Sequence, residues 1–238
     1  MRLSRHFTSQ IVTVLMICFL VGVGVLRDIV INANADTDRR PTVILDAGHG
    51  GFDGGAGAAD GTVEKSINLN IALRLGEILR FDGWRVVMTR TEDTGTEDDP
   101  DDVIAARKKS DLNNRLKLMK EYPDAIYVSI HLNKFTSSAA SGAQVFYTPN
   151  SDGARTLGEE IQKSLINLVQ PENTRVAKRG TNSTYILKKA TVPTVIVECG
   201  FLSNGTELKL LKDTQYQARL AFAVSAGINN YFSQVKKE

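Results

Sequence analysis

The stretch Thr42-Val-Ile-Leu-Asp-Ala-Gly-His-Gly-Gly51 is the part of the sequence from which the fold can be worked out. Its apolar residues 43–45 are typical of a buried strand, and the glycines that follow predict a tight loop where the strand ends. Glycine lets the backbone turn sharply and lets other groups approach it closely. The sequence therefore places the imidazole of His49 just beyond a buried strand, within a loop suited to binding.

Apolar runs and helical periodicities alternate along the rest of the chain. The predicted strands after the first are residues 84–89, 125–131, 144–147, 185–187 and 194–200. The predicted helices are residues 64–79, 103–121, 154–169, 207–211 and 215–232. Because this alternation is typical of α/β proteins, we expect a single domain with a twisted, largely parallel β-sheet flanked by helices on both faces.

The N-terminus has the features of an export signal. Arg2 and Arg5 precede an apolar run over residues 11–26, and Ala33-Asn-Ala35 fits the small-residue pattern of a cleavage site. The sequence predicts a signal peptide cleaved after Ala35, or an uncleaved anchor if residues 29–31 extend the apolar run. We therefore expect a signal or anchor over 1–35, a linker over 36–41 and a folded domain over 42–238. Export across the cytoplasmic membrane follows, with membrane contact only through the N-terminal segment.

Composition and charge exclude some classes of function. With 238 residues the chain can bury a full hydrophobic core, and its net charge of +2 gives no electrostatic case for binding nucleic acid. Two cysteines cannot support a disulfide framework. The acidic segment over residues 91–102 and the basic segment Lys178-Arg-Gly180 are interpreted as solvated loops.

Three strongly apolar strands end in residues with useful chemistry. These residues are His49, His131 and Glu198. Because the carboxyl ends of parallel strands meet at one edge of a sheet, we expect the three side chains to lie near one another. Glu64 begins the helix after the first strand and faces the same edge. Two imidazoles and a carboxylate from separate elements match a catalytic zinc site with one position open to water.

Hydrolysis at such a site needs a proton carrier as well as a metal. The metal polarises a substrate carbonyl and acidifies water, and a further carboxylate moves the proton, for which Glu198 is the candidate. Each residue also has a simpler structural interpretation. A histidine at a strand end is often only a satisfied polar residue, and Glu64 would suit the first turn of any helix. The convergence of all four favours a metal site.

Two further residues, Asp46 and Arg179, have two interpretations each, and Cys199 has one. Asp46 either orients the second ring nitrogen of His49 or binds loop backbone. Arg179 either binds a carboxylate of the substrate through its forked guanidinium, or is simply solvated. We do not expect Cys199 to be a nucleophile, because no histidine other than the expected metal ligands is placed to activate it.

Several motifs in a fixed order resemble a known family. They are Asp46-Ala-Gly-His-Gly-Gly51, Glu64 with Asn68, Ser129-Ile-His-Leu-Asn133, Arg179-Gly180 and Glu198-Cys-Gly-Phe-Leu-Ser-Asn204. From about Thr42 to the end, the sequence resembles the zinc-dependent N-acetylmuramoyl-L-alanine amidases of the Amidase_3 family. The resemblance implies a twisted sheet flanked by helices, one Zn²⁺ held by His49, Glu64 and His131, and catalysis by Glu198. Asn133 and Arg179 are candidate substrate contacts.

A narrower resemblance concerns Ala106-Arg-Lys-Lys-Ser-Asp-Leu-Asn-Asn-Arg115 and the leucine at position 132. Together with the lack of an appended wall-binding repeat, these features are similar to the CwlD-type amidases of spore formers. That resemblance implies a step towards muramic-δ-lactam in the spore cortex, and so a role in germination. Since no wall-binding domain is recognised, a protein partner that activates or localises the enzyme is also expected.

The expected reaction is hydrolysis of the amide between the lactyl group of N-acetylmuramic acid and L-alanine, with peptidoglycan as the substrate. Two alternatives stay open. One is a catalytically inactive module that only binds peptidoglycan, and the other is a zinc peptidase that cuts the stem peptide itself.

Overall fold

The computed structural model describes residues 41–149, 151–181 and 184–235, together with Leu15, Met16, Phe19 and residues 21–23. Residues Pro41–Glu238 form one compact unit and Met1–Arg40 form a second. The predictions of a signal or anchor and of a linker fall almost entirely outside the described residues. Among those that are described, no helix combines the length and apolar character needed to cross a bilayer.

The described part of the chain forms a six-stranded sheet in the order β2-β1-β3-β6-β4-β5. The strands are β1 Thr42–Ala47, β2 Arg85–Met88, β3 Ile126–Asn133, β4 Gln144–Tyr147, β5 Lys178–Arg179 and β6 Thr194–Phe201. Strands β2, β1, β3 and β6 run parallel, whereas β4 is antiparallel to β6 and parallel to β5. The prediction of a largely parallel sheet is confirmed.

Helices cover the sheet unequally on its two faces. They are α1 Glu64–Phe81, α2 Ile104–Glu121, α3 Asp152–Leu168, α4 Tyr185–Lys189, α5 Gly205–Lys212 and α6 Thr214–Val235. The larger core lies between α1, α3, α6 and one face of the sheet. A smaller core around Ile44, Tyr127 and Met119 lies on the other face, under α2 and α4. The prediction of helices on both faces is therefore confirmed.

Two short segments differ from their predicted structure. Residues 178–179 are predicted as loop, but they form the edge strand β5, in register with Phe146 and Tyr147. Residues 185–187 are predicted as a strand, but they begin helix α4, and their apolar side chains Ile186 and Leu187 are buried. Runs this short carry no periodicity that could separate helix from strand, so tertiary packing decides.

The acidic segment over residues 91–102 is less solvated than its composition predicts. Its residues 98–102 are exposed, but the side chain of Glu97 is only 8% exposed and pairs with Arg107 of α2 at 2.7 Å. Thr96 also contacts α2, since its N–H and its hydroxyl donate to the carboxylate of Asp111 at 2.8 Å each. The segment is therefore attached to α2, and burial of its charge is compensated by ion pairing.

The contact between α3 and α6 depends on a glycine. A Cβ atom at Gly227 would lie 2.5 Å from Ile161 Cα and 2.8 Å from its backbone nitrogen, neither of which can move independently of the helix. We expect Gly227→Ala to lower the free energy of unfolding by about 1–3 kcal/mol through overpacking, although alanine has the higher helix propensity. Urea unfolding measures this change.

The matched control is Gly205→Ala at the start of α5, where a Cβ would meet nothing within 4 Å. Equal free energies of unfolding for the two variants would contradict the close packing of α3 on α6.

Candidate metal centre

The four predicted site residues converge at the carboxyl edge of the parallel strands. His131 of β3 and Glu198 of β6 are direct partners across two neighbouring strands. The Nε2 atom of His49, just beyond β1, lies 3.3 Å from Oε2 of Glu64, and Nδ1 of His131 lies 2.9 Å from Oε1 of Glu64. The two imidazole rings meet edge to face, with their centroids 4.9 Å apart.

Glu64 is a buried carboxylate with an unusually complete set of donors. It is the first residue of α1 and is 3% exposed. The backbone N–H groups of Ala56 and Leu132 donate to it at 2.8 and 3.0 Å, and the Asn68 amide donates at 3.1 Å. Burial opposes its ionisation, but hydrogen bonds with His131 and His49 outweigh burial and hold the pKa of Glu64 well below its usual range. Glu64 is therefore ionised at any pH where the protein functions.

The turn that presents His49 is held by two arginines through its carbonyl groups. His49 has a positive φ of 63°, a left-handed conformation that costs a non-glycine residue about 1–2 kcal/mol. Arg90 donates to the carbonyls of Ala47 at 2.8 Å and Gly48 at 3.2 Å. Arg115 donates to the carbonyl of His49 at 2.9 Å. These bonds offset the strain and fix the direction of the imidazole.

Asp46 does not orient His49, contrary to the first of its two interpretations. Its carboxylate accepts hydrogen bonds from Arg115, from the Ser129 hydroxyl and from the Thr89 hydroxyl. Burial alone would raise the pKa of Asp46, but the charges of Arg115 and His131 and the hydrogen bonds from Ser129 and Thr89 together outweigh burial and bring it to about 2. Asp46 therefore binds side chains rather than loop backbone, and it holds the arginine that supports the His49 turn.

Asp53 is the carboxylate that contacts His49, and sequence reasoning missed it. Its Oδ2 lies 2.9 Å from Nδ1 of His49, and its Oδ1 accepts the N–H of Gly55 at 3.1 Å. Burial alone would lower the pKa of His49, but the hydrogen bonds with Asp53 and Glu64 outweigh burial and raise it to about 9. The only sequence signal is an aspartate four residues after the histidine, and loop spacing does not predict a contact.

Two glycines provide the space that the side chains of the centre need. A Cβ at Gly48 would lie 2.3 Å from Nε2 of His131. A Cβ at Gly55 would lie 2.6 Å from both Oε2 of Glu64 and Cδ2 of His49. Neither position can carry a larger residue without moving a side chain of the centre.

The donor set of the centre fits a divalent metal ion. One ligand atom from each of His49, Glu64 and His131 lies within 4.8 Å of the other two. Two imidazoles and one carboxylate are ligands that Zn²⁺ prefers, and three protein ligands leave a position for water or substrate. The three side chains that the sequence predicts as ligands could therefore hold one metal ion.

Glu198 lies beside these three residues but is not bonded to them. Its Oε2 atom is buried and has no hydrogen-bond partner among the described residues. Burial raises the pKa of Glu198 to about 7, with the charge of Glu64 adding to the rise and the imidazole of His131 opposing it. A carboxyl group that titrates near neutrality and has a free oxygen is suited to proton transfer.

The remaining candidates are Asn133, Arg179 and Cys199. Asn133 ends β3, and its carbonyl accepts the N–H of Leu202 at 2.8 Å. Arg179 is exposed on β5, in register with Tyr147 of β4. Cys199 is fully buried, and burial raises its thiol pKa well above the usual range, which agrees with its exclusion as a nucleophile. Substrate contacts of Asn133 and Arg179 stay predictions.

We expect Asp53→Asn to weaken metal binding about 10- to 100-fold, because a carboxylate on the second ring nitrogen orients a histidine ligand and raises its basicity. Competition with a chromogenic chelator measures the affinity. Asp60→Asn is the control, since Asp60 is exposed and pairs with Lys212 and with Thr62 of its own loop. Unchanged affinity in Asp53→Asn would contradict the orienting role.

Metal binding should also depend on pH with a defined sign. Because the pKa of His49 in the metal-free protein is raised to about 9, the ring is protonated at neutral pH and a metal must displace that proton. We expect the affinity for Zn²⁺ to rise about tenfold per pH unit from pH 7 towards 9, and to level off above that. Chelator competition in a buffer series measures the slope, and a flat profile would show that His49 is already neutral.

Comparison with known proteins identifies the family. Residues 43–230 match the family Amidase_3, described as N-acetylmuramoyl-L-alanine amidase. The germination-specific N-acetylmuramoyl-L-alanine amidase of Bacillus subtilis (strain 168) is 37% identical over 196 residues, which cover 81% of this chain and 80% of that protein.

Solved structures agree with that match. The CwlD amidase from Clostridioides difficile, solved in complex with the GerS lipoprotein, is similar with a TM-score of 0.78 and 39% identity, covering 82% of this chain and 99% of the other. The amidase AmiC2 of Nostoc punctiforme is similar with a TM-score of 0.70 and 27% identity, covering 81% and 97%. This chain therefore belongs to the N-acetylmuramoyl-L-alanine amidase family Amidase_3.

Proposed function

We propose that this protein is a zinc-dependent N-acetylmuramoyl-L-alanine amidase that hydrolyses the amide between the lactyl group of N-acetylmuramic acid and L-alanine in peptidoglycan. The observation that carries the proposal is the convergence of His49, Glu64 and His131 beside the unpartnered Glu198 oxygen. Membership of the amidase family supports the choice of bond.

His49, Glu64 and His131 are the proposed ligands of one Zn²⁺. The two imidazoles and the ionised carboxylate provide neutral nitrogen donors and one negative charge, a set that suits this ion. When bound, zinc would polarise the carbonyl of the substrate and make water a better nucleophile at neutral pH. Asp53 holds the imidazole of His49 in place, and the N–H of Ala56 holds the carboxylate of Glu64.

Glu198 is the proposed proton carrier. Its Oε2 atom makes no bond within the described residues, so it is free to accept a proton from the attacking water. The same carboxyl then delivers that proton to the nitrogen of L-alanine as the amide breaks. The strand pairing between His131 and Glu198 keeps the carboxyl beside the ligands, so the proton moves over a short distance.

We further propose that the substrate is peptidoglycan of the spore cortex, and that the product leads towards muramic-δ-lactam. Support comes from the similarity to a germination-specific relative and to the CwlD amidase. That CwlD amidase is solved in complex with a lipoprotein, which supports the expectation of an activating or localising protein partner here. Export across the cytoplasmic membrane through residues 1–35 belongs to the same proposal.

Digestion of cortex-type peptidoglycan tests the reaction. The purified protein should release peptides with a free N-terminal L-alanine and leave intact glycan strands, and a chelator should abolish the release until zinc is restored. Mass spectrometry identifies both products. A new amine within the stem would point to the zinc peptidase, and binding without any product would point to the inactive module.

We expect Glu198→Gln to keep bound zinc and lose about 100- to 10,000-fold in turnover, because the amide cannot accept the proton. Metal content and circular dichroism show that the site and fold remain. Glu159→Gln, on the exposed side of α3, is the control and should cleave normally. Wild-type turnover in Glu198→Gln would rule out the assigned proton carrier.

A further inference from the structure

A row of polar side chains leads away from the metal centre across the sheet. His131 of β3 faces Glu198 of β6, and Glu198 in turn faces Gln144 of β4. Residues in register on paired strands project from the same face of the sheet. Since neighbouring strands are about 4.8 Å apart, Gln144 lies about 10 Å from His131 along this row.

Arg175 ends the row with a fixed guanidinium group. Its Nη1 donates to Oε1 of Gln144 at 2.9 Å, and its Nε donates to the carbonyl of Ser141 at 2.7 Å. The Cζ atom lies 4.8 Å from the centroid of the Phe201 ring. Three contacts therefore orient the group, while its Nη2 atom has no hydrogen bond within the described residues and is not buried.

Arg175 also borders an open cavity. The cavity has a volume of about 510 Å³, and its walls include Ser141, Gly142 and Gln170. Ser141 and Gly142 belong to the segment that links β3, which carries His131, to β4. A cavity of this size can accept the side chains of several residues of a bound peptide.

We infer that Arg175 is a specificity-determining residue that binds a carboxylate of the stem peptide two or three residues beyond the cleaved amide. The inference rests on the proposed function. An extended peptide advances about 3.3–3.6 Å per residue, so the 10 Å between the centre and Gln144 corresponds to about three residues. A pre-oriented guanidinium binds carboxylates with good geometry at little entropic cost.

The strand register distinguishes Arg175 from Arg179. Arg179 is in register with Tyr147, and Tyr147 is in register with Val195. The side chain of Val195 lies in the larger core, so the register places Arg179 on the face of the sheet away from Glu198. Lys178 is in register with Phe146 and shares the face of Glu198 by strand alternation. Lys178 therefore adds positive charge on the side where Arg175 lies.

Matched substrates distinguish two roles for Arg175: recognition of a substrate carboxylate, and a purely structural role in holding residues 139–142 of the segment that links β3 to β4. We compare muramoyl tripeptides in which the carboxyl group of the second or the third residue is either free or replaced by a carboxamide. The wild-type protein should prefer one of the free carboxylates about 10- to 100-fold in kcat/KM, as a charge-assisted hydrogen bond would give. In Arg175→Ala this preference should vanish, with the amidated substrate cleaved as by the wild type.

Two further variants complete the experiment. Arg175→Lys keeps the charge and should retain part of the preference, which also covers a failure of Arg175→Ala to fold. Arg155→Ala removes an exposed arginine paired with Glu159 on α3 and should behave as the wild type. An equal loss for free and amidated substrates in both Arg175 variants, or an undiminished preference in Arg175→Ala, would overturn the inference.

Failure of the proposed function gives a different result. If the wild-type protein cleaves no muramoyl peptide, the amidase proposal fails. The proposed carboxylate recognition by Arg175 is then judged by binding alone. Calorimetry with the zinc-loaded Glu198→Gln protein then measures the affinity for the same tripeptides. If the protein binds the free carboxylate more tightly and Arg175→Ala removes that preference, carboxylate recognition by Arg175 is supported. Equal affinities for free and amidated peptides would reject it.

Discussion

The buried carboxylate of Glu64 is the interaction on which the site depends. It joins α1, the loop at Ala56, strand β3 at Leu132 and both imidazoles at one point. Removing a carboxylate from water is costly unless its oxygens accept hydrogen bonds, and this one accepts several. Since the same oxygens face the expected metal position, the fold preorganises this ligand. Metal binding then displaces the proton of the His49 imidazole instead of moving the chain.

A second constraint acts on the backbone of the His49 turn. The left-handed conformation of His49 persists because the buried side chains of Arg90 and Arg115 bind three successive carbonyl groups. Arg115 is itself held by Asp46 and by Asp111. The backbone strain at His49 is thus balanced by a network of charged side chains from α2 and the strand ends. This network links the packing of α2 on the sheet to the direction of the His49 imidazole.

The sequence was sufficient to predict the parts of the site that depend on strand ends. His131 and Glu198 end long apolar runs, and parallel pairing brings such ends together whatever the loops do. Asp53 could not be predicted, because its contact depends on the path of a glycine-rich loop. For the same reason the sequence suggests His49 or loop backbone as the partner of Asp46, and not Arg115, which is 69 positions away. Strand β5 and helix α4 are too short for their sequences to show a helical or strand periodicity, so only tertiary packing determines their secondary structure.

The antiparallel strand β4 explains why the site extends sideways. Had β4 run parallel to β6, the residue paired with Glu198 would have lain near the carboxyl end of β4. The chain leaving β3 would then have had to cross to the opposite edge of the sheet before β4 could begin. Instead the chain turns back at the same edge, so Gln144 begins β4 directly opposite Glu198. A change of strand direction next to β6 therefore puts a second set of polar groups at the edge where the proposed metal ligands meet. Under the proposed function, those groups lie where an extended substrate leaving the centre would pass.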